Sequence, residues 1–436
     1  MISIVQNETA LKYKIPNFLL ILYISIIPVQ KIIWLPILHY KVQITEFIFL
    51  ILLYFSIIFL KNLKDLNAKL LLIDKAILIW FTIISINYIS NNNIYTLTEL
   101  VGQYYLITLY FTIQLIFIQS DSKKIIQLLS KAIYLQAILI ILTILLGLIL
   151  LYFNLNIGVF QRFYSYPYFG NIYRLKALTN EPVMLVSILS IPFFFALSIE
   201  GKIKQKILKV SIISLIILLT IGKSTPFLVA ILILGKNKIK WKNKITCQIS
   251  KSIACLLIFI SIFLSHIIIT KNENRQHLGY GQSIPFYKIH SYHLYKSWYF
   301  IQKEKAINTF IQNPIMGVGG GNLVHTIATK NKTERKNNER SIAYDPLSTY
   351  SGVLSEYGII GFTGLLFLIF SIYYEWRNSN LNLHSGVKWF FLACFSYFLL
   401  EAVCTDILNF RHLWIILGFF SVIIRTNKFA NTTLSA

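Results

Sequence analysis

Between positions 271 and 351 eleven lysines and arginines stand against five aspartates and glutamates, a surplus of six positive charges in one stretch. A basic surface of this kind attracts anionic groups, and a solvated charged loop accounts equally for the run 330–340. Within it, NPIMGVGGGN runs from Asn313 to Asn322, and Gly317, Gly319, Gly320 and Gly321 permit tight backbone turns. Successive N–H groups in such a turn can cradle an anion. The spacing is not G-x-G-x-x-G and no strand precedes it, so no nucleotide fold is implied, and a plain turn is the simpler reading. Further on, AYDPLSTYSGVLSEYGIIGFTGLLFL runs from Ala343 to Leu368. Asp345-Pro346 reads as a turn or helix start, with Pro346 at the first helical position. That helix continues through Glu356 into an apolar run, where Gly358 and Gly361 allow close helix contact. Its positive N-terminal end would favour anions beside it.

The elements that must position these residues are set by composition. Of 436 residues 56% are hydrophobic and 13% charged, whereas soluble domains carry about 25% charged residues. Too little polar surface is left to coat a water-soluble globule, so the fold expected is an all-α, polytopic transmembrane bundle embedded in a lipid bilayer. Apolar runs suggest about twelve spans, at 16–35, 43–60, 75–90, 99–119, 132–153, 182–199, 207–222, 225–235, 252–270, 352–374, 389–405 and 410–425. The first reads as a retained signal anchor, since no small-residue cleavage site follows it. Lysine clusters at 61–75, 123–131, 202–209 and 236–244 alternate with loops such as 91–98, which carries no Lys or Arg. The positive-inside rule then places both termini in the cytoplasm, and 154–181 and 271–351 outside.

Three parts follow: a bundle over 1–270, a large external loop over 271–351 and a second bundle over 352–436. Within the loop, 296–312 reads as a helix at the membrane surface. Tyr299, Phe300, Ala306, Ile307, Phe310 and Ile311 form its apolar stripe, interrupted by Lys303, and it stops before Asn313-Pro314. The formal charge of +24 is largely what short cytoplasmic loops collect, so nucleic acid is a poor explanation of it. Cys247, Cys255, Cys394 and Cys404 show no zinc or redox spacing and read as structural.

The order "NP-x-x-GVG-x-GN, a basic insert, then DP-x-x-x-Y-x-x-x-L-x-E-x-G-x-x-G at the start of a span" resembles the O-antigen ligase/polymerase family, bacterial inner-membrane enzymes acting on undecaprenyl-diphosphate-linked glycans. RLKALTNEPVMLVSILSIP (Arg174 to Pro192) and IGKSTPFLVAIL (Ile221 to Leu232) look like two further family segments, the second with Lys223 as its basic member. Two departures stand out. Ligases of the family carry His after the Asp-Pro, where this chain has Leu347, and Arg ahead of the loop Trp, where only His293 and Lys296 precede Trp298. Both lean towards the polymerase branch.

The resemblance implies glycosyl transfer without metal, nucleotide or other cofactor: an acceptor hydroxyl attacks the anomeric carbon and lipid diphosphate leaves. It makes the lipid-linked glycan the substrate, with chain-length regulator or flippase proteins as candidate partners. Cations must then stabilise the leaving charge. Arg174, beside Arg162 and Lys176, is the first candidate clamp, or else an interfacial snorkelling Arg. Lys223, Arg340 and Arg411 are the others, open respectively to anchoring, solvation and pairing with Asp406. Gly319 and Gly321 would supply N–H groups. Asp345 is the favoured base or a helix N-cap. Glu356 and Glu181 are each either structural or part of the site; Glu401 and His266 read as bundle residues. A ligase transferring to lipid A core is the nearest alternative, and a lipid-linked oligosaccharide flippase or other transporter the rival from another class.

Overall fold

The computed structural model describes residues 2–30, 35–37, 40–62, 70–118, 120–155, 158–166, 170–199, 203–220, 224–235, 244–270, 286–323, 326, 347–379 and 385–433. Among the described residues the chain is mostly helical, with thirteen helices. In order these are α1 (Ile2–Ile26), α2 (Ile44–Ile58), α3 (Leu72–Asn91), α4 (Ile94–Phe117), α5 (Ser122–Tyr152), α6 (Pro182–Ile199) and α7 (Ile203–Thr220). Then come α8 (Ser224–Gly235), α9 (Lys244–His266), α10 (Trp298–Gln312), α11 (Thr349–Asn378), α12 (Ser385–Glu401) and α13 (Arg411–Thr433). Each of the twelve apolar runs falls on a helix. Among the described residues five helices, α3, α4, α5, α6 and α11, are long and apolar enough to cross a membrane, and shorter apolar stretches lie in α1, α2, α7, α8 and α9.

Burial divides the bundle. In α13 Leu413 to Ile424 are buried almost without interruption, and α6 is buried from Pro182 to Ala196, so these two helices form the centre. The long α5 is different: Leu142, Leu145, Leu146 and Ile149 are all exposed. Apolar side chains repeated along an exposed face have no stable place in water and fit contact with lipid.

The expectation of an all-α chain is corrected in detail, because small β elements cap the helices. A hairpin pairs β1 (Leu35–Ile37) with β2 (Tyr40–Val42), and a second pairs β3 (Phe160–Tyr166) with β4 (Gly170–Leu175). A three-stranded antiparallel sheet has the order β5 (Ile267–Thr270), β7 (Tyr292–Lys296), β6 (Tyr287–Ile289). The span read as 252–270 therefore ends at His266. The next residues, Ile267, Ile268 and Ile269, are β-branched, stiff at χ1 and better suited to a pleated strand than to a helix end. Similarly, the first apolar run leaves the helix at Ile26, just before Pro28, which has no N–H to continue it.

Contacts sort the helix ends into two faces. On one, Gln30 N–H donates to Leu178 O (3.1 Å), Gln103 Nε2 to Asn409 Oδ1 (2.9 Å) and Thr349 N–H to Ala402 O (2.9 Å). The segment 271–351 connects helix ends on this side, here termed the loop face. On the opposite face a buried ion pair joins Asp74 at the start of α3 to Arg425 near the end of α13, Oδ2 to Nη2 at 2.5 Å. Asp74 also accepts from Tyr110 Oη (2.5 Å), Gln114 Nε2 (2.9 Å) and Leu71 N–H (2.7 Å), and Arg425 Nη1 donates to Gln114 Oε1 (2.6 Å). Two charges inside a bundle are tolerated only with their remaining donors and acceptors filled in this way.

Candidate functional site

The element that organises the loop face is a break in α11. Gly358 has φ +65° and ψ −159°, which interrupts the helix and frees the carbonyls before it. The segment Pro314–Gly319 docks against the break. Val318 N–H donates to Ser355 O (3.0 Å) and Gly319 N–H to Glu356 O (2.9 Å), while Ile359 N–H donates back to Pro314 O (2.8 Å). Asn87, buried on α3, clamps the two together: Nδ2 donates to Met316 O (2.8 Å) and Glu356 O (3.1 Å), and Oδ1 accepts from Gly320 N–H (3.0 Å). Irregular backbone inside a membrane bundle persists only where protein satisfies its polar groups, and these bonds do so.

The glycines are dictated by that close approach. A Cβ on Gly317 would lie 2.4 Å from the Glu356 carbonyl carbon, and one on Gly358 would lie 2.2 Å from Ile315 O. Gly319 and Gly321 adopt φ of +98° and +69°, the left-handed region that side chains resist. The Gly319 N–H, offered above to an anion, is engaged by Glu356 O. Gly321 instead packs on the first turns of α4, its missing Cβ 3.1 Å from Tyr95 O.

Helix α10 arises as the sequence suggests, from Ser297, whose Oγ accepts from Phe300 N–H (3.4 Å), to Asn313. Gln302, Ala306 and Thr309 are buried, whereas Ile307 and Ile311 of the expected stripe are exposed. Helix α11 packs against α10, and the two isoleucines face away from the protein. Lys303, which interrupts that stripe, reaches His266 Nε2 and Val403 O and ties α10 to the ends of α9 and α12.

The candidate cations fall in separate places. Arg174 lies on β4 opposite Gln161, and its Nε donates to Thr220 O at the end of α7 (2.7 Å). This fixes the guanidinium at the end of α7; Lys223 lies outside the described residues, as do Arg340, Asp345 and His325. Lys176, two positions beyond Arg174, is buried. Arg411 does not pair with Asp406. Its Nη1 donates to Gln43 Oε1 (2.7 Å) and Thr45 Oγ1 (2.6 Å), its Nη2 pairs with Glu46 Oε1, and it lies 5.6 Å from the Tyr105 ring centroid. Charge on Glu46 competes for the Arg411 guanidinium, and the planar fork is well matched to such a carboxylate. Asp406 instead accepts from Asn409 Nδ2 (2.7 Å), Leu408 N–H (3.2 Å) and Thr349 Oγ1 (3.3 Å), stapling the α12–α13 turn to the start of α11.

The candidate carboxylates divide likewise. Glu181 is exposed, and its carbonyl accepts from Thr179 Oγ1 (2.9 Å) and, in the first turn of α6, from Leu185 N–H (3.4 Å). One turn further, Ser187 Oγ is 2.8 Å from His412 Nε2, which links α6 to α13. Glu401 is fully buried and lies near Ser224 at the start of α8 (3.4 Å). Glu356 is half-buried at the break in α11, and with Glu99 and Asp406 it lies within electrostatic reach of the buried Tyr357. Sequence reasoning passed over Glu99 and Gln103. Their available signal was a carboxylate and a carboxamide one turn apart at the start of a span, behind a loop with no basic residue. No protein-family model and no curated protein matches this chain.

Proposed function

We propose that this chain is a twelve-span bacterial inner-membrane glycosyltransferase of the O-antigen ligase/polymerase kind, with both termini cytoplasmic and the loop face periplasmic. The observation that carries the reading is the union of two sequence segments. NPIMGVGGGN and the L-x-E-x-G-x-x-G stretch, on which the resemblance rests, are one structural unit in which the glycine loop fills the break at Gly358. In this reading the donor's lipid diphosphate lies on the α6–α7 side, where Arg174 is held by Thr220 O three residues before Lys223. Cations fixed in a site poor in water stabilise the charge that develops on the leaving diphosphate. The acceptor hydroxyl attacks the anomeric carbon with a carboxylate as base, Asp345 or one at the break of α11. Arg340 and Arg411 are secondary candidates for the diphosphate, and Arg411 would have to share itself with Glu46. Leu347, standing where ligases of the family carry His, favours a polymerase that extends a lipid-linked repeat over a ligase.

Arg174→Ala in cells that depend on this chain tests the reading. Loss of one such charge contact costs about 10²-fold to 10³-fold in rate. Long-chain polysaccharide on a gel ladder should collapse to single-unit caps. An unchanged ladder contradicts the site, and loss of the caps as well would favour the ligase.

A further inference from the structure

The starts of α4 and α13 carry a second polar group, distinct from the cations near α7. Glu99 Oε1 accepts from Gln103 Nε2 (3.0 Å), which also donates to Asn409 Oδ1 (2.9 Å), and Asn409 Nδ2 donates to Asp406 Oδ2 (2.7 Å). The glycine loop covers Glu99: a Cβ on Gly320 would lie 3.1 Å from its Cγ, and one on Gly321 3.4 Å from its Cβ. The residues of the NPIMGVGGGN motif therefore converge on a carboxylate far from them in sequence.

An independent feature points to what this group meets. Gln103 is 2% exposed, and among the described residues its Oε1 has no hydrogen-bond partner. Its Nε2 is fixed by two acceptors, so turning the amide over would set its oxygen against Glu99 and Asn409 and gain nothing. A carbonyl oxygen sealed away without a donor is unfavourable, and a ligand O–H is the group that completes it. Glu99, Glu356 and Asp406 all lie within electrostatic reach of Tyr357. Three carboxylates gathered in this way suit a neutral polyol better than a diphosphate. Of the carboxylates, Asp406 accepts from Leu408 N–H, Thr349 Oγ1 and Asn409 Nδ2, which gives it a structural role in the α12–α13 turn.

We propose that Glu99 is the general base for the acceptor sugar hydroxyl, with Gln103 as the positioning residue that holds it and meets a neighbouring hydroxyl. This rests on the glycosyl-transfer reading above. As the acceptor oxygen bonds to the anomeric carbon, its proton passes to the Glu99 carboxylate. The bond from that carbon to the diphosphate oxygen breaks, its electron pair leaves with the lipid diphosphate, and the proton then passes from Glu99 to water. In this proposal the acceptor lies beside the starts of α4 and α13 and the donor beside α6 and α7.

The test uses the purified full chain in detergent, lipid-linked oligosaccharide from the producing cells as donor, lipid-free repeat oligosaccharide as acceptor, and inorganic diphosphate as a donor-side inhibitor. Glu99→Gln should slow turnover by about 100-fold and leave inhibition by inorganic diphosphate unchanged, while Glu99→Asp retains part of the rate. Turnover of Glu99→Gln close to that of the parent overturns the proposal. Gln103→Leu should raise the KM for the acceptor by about tenfold with diphosphate inhibition unaltered; an unchanged KM overturns the acceptor assignment even if Glu99→Gln does not fold. If the parent chain transfers nothing, the glycosyl-transfer reading falls and this proposal with it. If the parent transfers and the variants match it, only this proposal falls.

Discussion

Alanine at Gly358 is expected to destabilise the protein by at least about 3 kcal/mol, a loss set by two separate costs. The residue needs φ +65°, and its Cβ would lie 2.2 Å from Ile315 O, a backbone atom that cannot turn away. Relief requires either straightening α11, which strands Val318 and Gly319 N–H, or expelling the loop into lipid or water. Each leaves backbone groups unmet where solvent cannot replace them. Gly102→Ala is the control. Gly102 sits inside α4 with nothing within 4 Å of a new Cβ, and alanine there should stabilise the helix by about 0.5–1 kcal/mol. Denaturant unfolding in detergent, with protease cleavage within 313–323 as the local readout, separates the two. Equal stability of both variants would show that the loop does not depend on the break.

Arg425→Met is expected to cost about 3–5 kcal/mol, since it leaves Asp74 charged and buried without its partner. The double change Asp74→Asn with Arg425→Met should recover at least half of that loss. The new carboxamide oxygen keeps one of the two carboxylate positions, accepting either from Leu71 N–H or from Tyr110 Oη and Gln114 Nε2, while no uncompensated charge remains. The same denaturant titration decides it: a double variant less stable than Arg425→Met alone contradicts an electrostatic origin. Because the pair lies on the face opposite the glycine loop, neither change should alter the ladder of polysaccharide beyond what lost protein explains.

What could be read from the sequence was whatever repeats locally. Apolar runs fell on every described helix of the bundle, and Asn313-Pro314 marked the end of α10, because span length and helix stops are properties of neighbours along the chain. Ile267 to Thr270 was absorbed into a span, since three isoleucines are as apolar in a strand as in a helix and the partner strand lies beyond residue 290. The glycines of Asn313–Asn322 announced a turn, yet their purpose lay in Gly358, which looked like a helix-packing residue until its φ was known. Arg411 and Glu46 are 365 positions apart, and one sequence holds nothing that pairs them rather than Arg411 with nearby Asp406. Glu99 was missed for a related reason. A lone carboxylate near a span terminus resembles any interfacial residue until the loop and Gln103 are seen to close over it. Lys223, Arg340 and Asp345 rest on resemblance, whereas Arg174 has a defined partner in Thr220 O.

On the proposed reading the chain itself forms a glycosidic bond at the loop face. Purified protein in detergent, free of other membrane proteins, should lengthen lipid-linked oligosaccharide by whole repeats and release polyprenyl diphosphate in equal number, and Arg174→Ala should abolish both. Preparations that bind the lipid-linked glycan or carry it across vesicles, yet yield no longer chains and no diphosphate, would contradict it and point to a transporter.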